Sequence, residues 1–111
     1  MADITVNGCR IATDADGFLK DLKDWSPAVA DALAANAGIE LADSHWQLIH
    51  LVQRYYQQFG LSPAMRPLIK YAKLELGAEK GNSLYFLTHF PDSPAKLLSK
   101  IAGLPRPDNC L

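Results

Sequence analysis

The chain has 111 residues, of which 49% are hydrophobic and 21% charged, with a formal net charge of −1. That length supports one compact domain with a modest core. The start Met1-Ala2-Asp3-Ile4 lacks the basic stretch and apolar run of an export signal, and no window approaches the length of a membrane span. Two cysteines, Cys9 and Cys110, make no disulfide framework and predict a cytoplasmic protein with reduced thiols.

The small net charge conceals an asymmetry. Residues 1–53 carry three Lys/Arg against eight Asp/Glu, and residues 54–111 carry eight against four. The basic half suits anionic ligands or acidic partner surfaces, and equally suits attraction between the two halves of the fold.

In chain order, Ile4-Thr5-Val6, Asn7-Gly8 and Cys9-Arg10-Ile11-Ala12 predict a β-hairpin, because Asn-Gly is the favoured two-residue turn. Cys9 follows that turn, either as a second reactive thiol or as a small hairpin residue. Asp14-Ala15-Asp16-Gly17 predicts a second turn, with Asp14, Asp16, Asp21 and Asp24 as solvated acids. Phe18, Leu19, Leu22 and Trp25 offer an apolar anchor between hairpin and helices.

Ser26-Pro27, Ser62-Pro63 and Ser93-Pro94 mark helix starts, since serine caps free amides and proline is pre-set for the first helical position. Gly38, Gly60, Gly77 and Gly103 mark helix ends. Helices are predicted at about 27–37, 43–59, 63–76 and 94–102, with one more between Gly81 and Phe90. The second, with Leu48, Leu51, Val52, Tyr55 and Phe59 on one face, is expected to be the central core helix, capped by Asp43 or Ser44 in place of Ala42. In the third, Met65, Leu68, Ile69, Ala72 and Leu76 face inward, Arg66, Lys70 and Lys73 outward, and Pro67 removes an amide one turn in. Leu84, Leu87 and Phe90 supply the fourth. In the last, Leu97, Leu98 and Ile101 face the core and Lys96 and Lys100 face out.

The fold class is therefore mostly α (α+β). A hairpin at residues 1–14 precedes a helical core at 15–103, an orthogonal bundle of about five short helices resembling helix-turn-helix domains. A mobile C-terminal arm at 104–111 completes the single domain. Pro105 and Pro107 forbid helix in that arm, and its eight extended residues reach about 25 Å. Cys110 is the candidate catalytic residue, as a nucleophilic sulfur suited to delivery into another protein. The terminal carboxylate of Leu111 and Asp108 oppose its ionisation, each by about 0.7 kcal/mol at ~6 Å in water, roughly half a pKa unit. Arg66, Lys80, Lys96, Lys100 and Arg106 are candidates to dock the tail or an oxyanion and so favour the thiolate. No metal site is expected: His45 and His50 lie about 140° apart around a helix, and His45 suits packing or capping.

The ending Gly103-Leu104-Pro105-Arg106-Pro107-Asp108-Asn109-Cys110-Leu111 resembles the C-terminal arm of the TusE/DsrC family of sulfur-relay proteins, Gly-Leu-Pro-(Lys/Arg)-Pro-x-x-Cys-x. Asp16-Gly17-Phe18-Leu19, Trp25, His45-Trp46, Ser62-Pro63-Ala64 with Arg66, Glu79-Lys80-Gly81-Asn82-Ser83, Phe90-Pro91 and Pro94-Ala95-Lys96 extend the resemblance over the whole chain. It implies a sulfurtransferase without a cofactor that holds persulfide sulfur on Cys110. DsrC proteins that work with dissimilatory sulfite reductase carry a second cysteine eleven residues before the penultimate one, and here that position is Ser99, expected on a helix surface. The single-cysteine pattern resembles TusE, which implies a TusBCD-like donor complex and a tRNA thiouridylase as partners, with tRNA itself met indirectly. The alternatives are a DsrC-like role in sulfur oxidation, or a nucleic-acid-binding module, against which the net charge of −1 stands.

Overall fold

The computed structural model describes residues 2–107. An antiparallel hairpin, β1 (Ala2–Val6) and β2 (Cys9–Thr13), opens the chain, with Val6 paired to Cys9 across Asn7 and Gly8. Both turn residues have positive φ, 51° and 82°, as the tight turn demands. After a single 3-10 turn at Leu22–Asp24 come five α-helices among the described residues: α1 (Pro27–Asn36), α2 (Asp43–Phe59), α3 (Met65–Leu76), α4 (Ser83–His89) and α5 (Pro94–Ile101). The mostly helical plan with an N-terminal hairpin is the one expected.

The core is organised around α5, which packs against each of the other four helices. The longer α2 was expected in that role. It does bury Leu48, Ile49, Leu51 and Val52 completely, but α5 is short enough to sit across the bundle with neighbours on nearly every side. That placement buries Pro94, Ala95, Leu98, Ser99 and Ile101. Ser99, expected on the surface, has no solvent exposure, and its Oγ has no hydrogen-bond partner among the described residues.

Other local expectations shift for identifiable reasons. Ser26 caps α1 by accepting from the Val29 amide (3.3 Å), but Ser62-Pro63 does not start α3, which begins at Met65. Pro67 is then the third helical residue, where no intrahelical acceptor exists for its missing amide, so it costs no bond. At α2 neither Asp43 nor Ser44 is the cap. Ala42 holds that position, and His45 Nδ1 accepts from its amide (3.1 Å), the reciprocal half of a capping box. In α4, Phe86 points inward while Leu84 and Leu87 are exposed.

Candidate functional site: the root of the C-terminal arm

The last carbonyls of a helix have no partner inside it, and at the end of α5 they are taken by side chains distant in sequence. Trp25 Nε1–H donates to the Ile101 carbonyl (2.9 Å), and the Gln53 amide to that of Ala102 (2.9 Å). Gly103 then turns the chain with φ 79°. A Cβ at this position would lie 2.5 Å from Trp25 Cγ and 2.7 Å from Trp25 Cβ, so both the dihedral and the space require glycine.

The next four residues lie against the domain rather than away from it. Leu104 is buried, and its amide returns to the Ser99 carbonyl (2.9 Å). Ser62 Oγ–H donates to the Pro105 carbonyl (2.5 Å), which explains why Ser62 is buried and does not cap a helix. The Arg106 guanidinium pairs with Asp16 and with Asp14 Oδ2 (3.7 Å) and stands 5.3 Å from the centre of the Phe18 ring. Pro107 is buried. The arm was expected to leave the domain at residue 104, but this packing carries the attached segment to residue 107. Cys110, Asp108 and Leu111 lie outside the described residues.

The partner of Arg106 is pre-shaped. Asp14 Oδ1 accepts from the amides of Asp16 (2.9 Å) and Phe18 (3.0 Å), closing the turn and leaving Oδ2 for the guanidinium. These two aspartates, expected as solvated acids, stay partly exposed and also bind the opposite end of the chain. The charge asymmetry between the two halves is thus expressed partly inside the fold.

The basic candidates divide. Lys100 and Arg106 converge on Phe18, with Lys100 Nζ 5.6 Å from the ring centre. Lys96 and Lys100 line one groove with Asp92 and Ser93. Arg66 is exposed in the first turn of α3, and Lys80 donates to Gln47 on α2 (2.7 Å), so these two belong to neither group. Cys9 is an exposed, free thiol on β2. Among the described residues no three His, Cys, Asp or Glu side chains converge as a metal set, and no helix is long and apolar enough to cross a membrane. Sequence reasoning missed Ser62, Gln53, Asp14 and Asp16 as supports of the arm. The signal available for Ser62 was only that proline follows it, which points equally to a helix start.

The model of the DsrC-like protein family matches residues 5–111, and so includes the arm. The chain belongs to this family. Among its relatives are the sulfurtransferase TusE of Sodalis glossinidius, 50% identical with 95% of this chain and 97% of the relative covered, and that of Salmonella typhimurium, 48% identical with 94% and 95% covered. Among solved structures of the family, DsrC of Allochromatium vinosum superposes with a TM-score of 0.88 at 42% identity, covering 98% of this chain and 97% of that one. The oxidized gamma-subunit of the dissimilatory sulfite reductase (DsrC) from Archaeoglobus fulgidus superposes with a TM-score of 0.84 at 36% identity, covering 99% and 100%.

Proposed function

We infer that this chain is a sulfurtransferase of the sulfur-relay type, with Cys110 as the sulfur-bearing residue. The observation that carries the reading is the alignment of the chain with TusE sulfurtransferases at 50% identity over 105 residues, together with a penultimate cysteine on a proline-stiffened ending. In the proposed cycle the Cys110 thiolate attacks the outer sulfur of a donor persulfide. The Cys110–sulfur bond forms as the donor's sulfur–sulfur bond breaks. The donor leaves as a thiolate, and Cys110 holds a persulfide whose outer sulfur passes to an acceptor thiolate by the same exchange. No electrons are gained or lost overall, so no cofactor is required.

The root geometry supports a division of labour in this cycle. Arg106 is paired with Asp14 and Asp16, so its charge is not available to draw a proton off Cys110, and Lys100 is the remaining cation of the Phe18 cluster. Activation of the thiol then falls mainly to cations of the partner, which confines reactivity to the docked complex. Finer partners follow the same logic: a TusBCD-like donor and a tRNA thiouridylase as acceptor. A DsrC-like role in sulfur oxidation has support from the superposition on DsrC structures, but Ser99 cannot form a second sulfur link.

Intact mass after incubation with inorganic polysulfide tests the reading. A gain of about 32 Da that persists in Cys9→Ser and vanishes in Cys110→Ser supports it. No adduct on the unaltered chain, or one that survives Cys110→Ser, removes it.

A further inference from the structure

The outer side of α2 and α3 carries rings and cations that take no part in the arm junction. Tyr55 and Phe59 on α2 and Tyr71 on α3 form a ring cluster, with centroids 4.5 Å apart for Tyr55–Phe59, 5.2 Å for Tyr55–Tyr71 and 6.2 Å for Phe59–Tyr71. The Tyr71 hydroxyl also donates to Gln58 Oε1 (3.1 Å), which fixes that ring. With Pro67, Lys70 and Leu74 the three rings line an apolar groove of about 250 Å³. The groove is uncovered: Phe59 is 50% exposed and Leu74 75%. Along α3, Pro67, Tyr71 and Leu74 share one stripe, and Arg66, Lys70 and Lys73 share the stripe beside it. These three cations are exposed and have no acidic partner among the described residues.

We propose that this groove docks an acidic, amphipathic helix of a partner protein, with its apolar stripe on the ring cluster and its carboxylates against Arg66, Lys70 and Lys73. Length fits such an occupant. Pro67 to Leu74 covers two turns of α3, about 10 Å, which matches apolar residues at i, i+3 or i+4, and i+7 of a facing helix. The groove volume of about 250 Å³ falls below the ~300–1,000 Å³ of small-molecule pockets and suits a row of side chains instead. Charge selects the sign of the partner. The lone acid of α3, Glu75, is already engaged by Arg54 of α2 (3.9 Å), so the exposed rim is left to cations. The same charge disfavours a second copy of this chain, because groove-on-groove pairing about a two-fold axis would set the cation stripes of two α3 helices against each other. A nucleic acid is disfavoured by the lining itself. Pro67 and Leu74 give a base no ring to stack on, and Tyr71 meets Tyr55 and Phe59 edge-on (89° and 81°), contacts that occupy ring faces a base would need.

Titrating the isotope-labelled chain with a synthetic peptide, followed by amide chemical shifts, tests the groove. The probe is a helical peptide with leucine at helical spacing along one face and glutamate elsewhere, and its counterpart carries lysine in place of every glutamate. The acidic peptide is expected to shift the amides of residues 54–59 and 66–74. It binds about tenfold more tightly than the lysine peptide, a gap that narrows as salt rises from about 0.05 to about 0.5 M. Arg66→Glu combined with Lys70→Glu weakens the acidic peptide about tenfold, and Leu74→Ser weakens it about fivefold. Leu84→Ser removes a leucine of nearly equal exposure on α4, 74% against 75%, and leaves binding unchanged. All of these positions are exposed, so the variants keep the fold, and an unaltered spectrum away from the groove checks that. Equal affinity for the two peptides, shifts centred elsewhere, equal losses in Leu74→Ser and Leu84→Ser, or no shift at ~1 mM peptide overturns the proposal. Tighter binding of a single-stranded oligouridine at the same amides also overturns it, in favour of RNA. So does a concentration-dependent dimer abolished by Leu74→Ser, in favour of a second copy. The titration involves no sulfane sulfur, so its outcome is separate from that of the polysulfide test.

Discussion

Two helix ends, those of α3 and α5, are written alike in sequence and built differently. Each finishes in a glycine of positive φ, Gly77 at 92° and Gly103 at 79°. After Gly77 the chain is held mainly by near neighbours: Asn82 Nδ2 donates to the Ala78 (3.1 Å) and Glu79 (2.7 Å) carbonyls, and its Oδ1 accepts from Tyr85 (2.9 Å). After Gly103 the supports come from Trp25, Gln53, Ser62, Asp14 and Asp16, 43 to 92 residues away. A turn held locally forms wherever its own residues are intact. A junction held from a distance exists only once the whole domain has folded, and any of its supports can be altered singly.

The sharpest way to break the comparison is to add one methyl group at each glycine. At Gly77 a Cβ meets nothing within 4 Å, so Gly77→Ala carries only backbone strain, about 1–3 kcal/mol. At Gly103 the same Cβ enters the Trp25 side chain, and overpacking adds about 1–3 kcal/mol. Urea midpoints are expected to show Gly103→Ala as the less stable by about 2 kcal/mol. Equal losses would mean that Trp25 yields freely and does not set the exit of the arm.

A smaller effect separates the two sets of hydrogen bonds. Trp25→Phe keeps most of the ring but strands the Ile101 carbonyl, at a cost of about 1–3 kcal/mol. Asn82→Ala removes a helix cap worth about 1 kcal/mol. Only the first is expected to lower the order parameter of the Leu104 amide, because only the first touches the arm junction. If Asn82→Ala loosens Leu104 equally, the two helix ends are coupled through α5 and the contrast between them dissolves.

The same contrast explains what was legible in the sequence. The hairpin, the spans of α1, α2 and α5, and the turn glycines are set by residues close together, and they follow from Asn7-Gly8, from Ser26-Pro27 and from the apolar spacing of α2 and α5. The arm motif was legible as a motif, but its attachment was not. Ser62 reads as a helix cap until its partner at Pro105 is known, and Asp16 reads as a solvated acid until Arg106 closes on it. Lys100 and Arg106 stand together at the Phe18 ring, whereas Lys80 is spent on Gln47. Long-range pairing leaves no periodic trace along the chain, so spacing could not have found it.

The smallest expected effect lies at the start of α2, where His45 is a local support that titrates. Burial lowers its pKa below 6.5, and the nearby His89 ring lowers it further, against a weaker opposing contribution from the His89 backbone. Its Nδ1 must be unprotonated to accept from the Ala42 amide. The folded chain therefore disfavours the protonated ring, and the unfolded chain binds the proton more readily. The stabilisation is complete above about pH 6.5 and is lost as the pH falls through the lowered folded value. His45→Gln keeps an acceptor for the same amide and removes the titration. The stability difference between the unaltered chain and His45→Gln, followed by urea midpoint from about pH 7 to about pH 5, is expected to shift in favour of the variant. A difference that stays flat would mean the ring is held by packing against His89 and Phe90 rather than by its bond to the helix start.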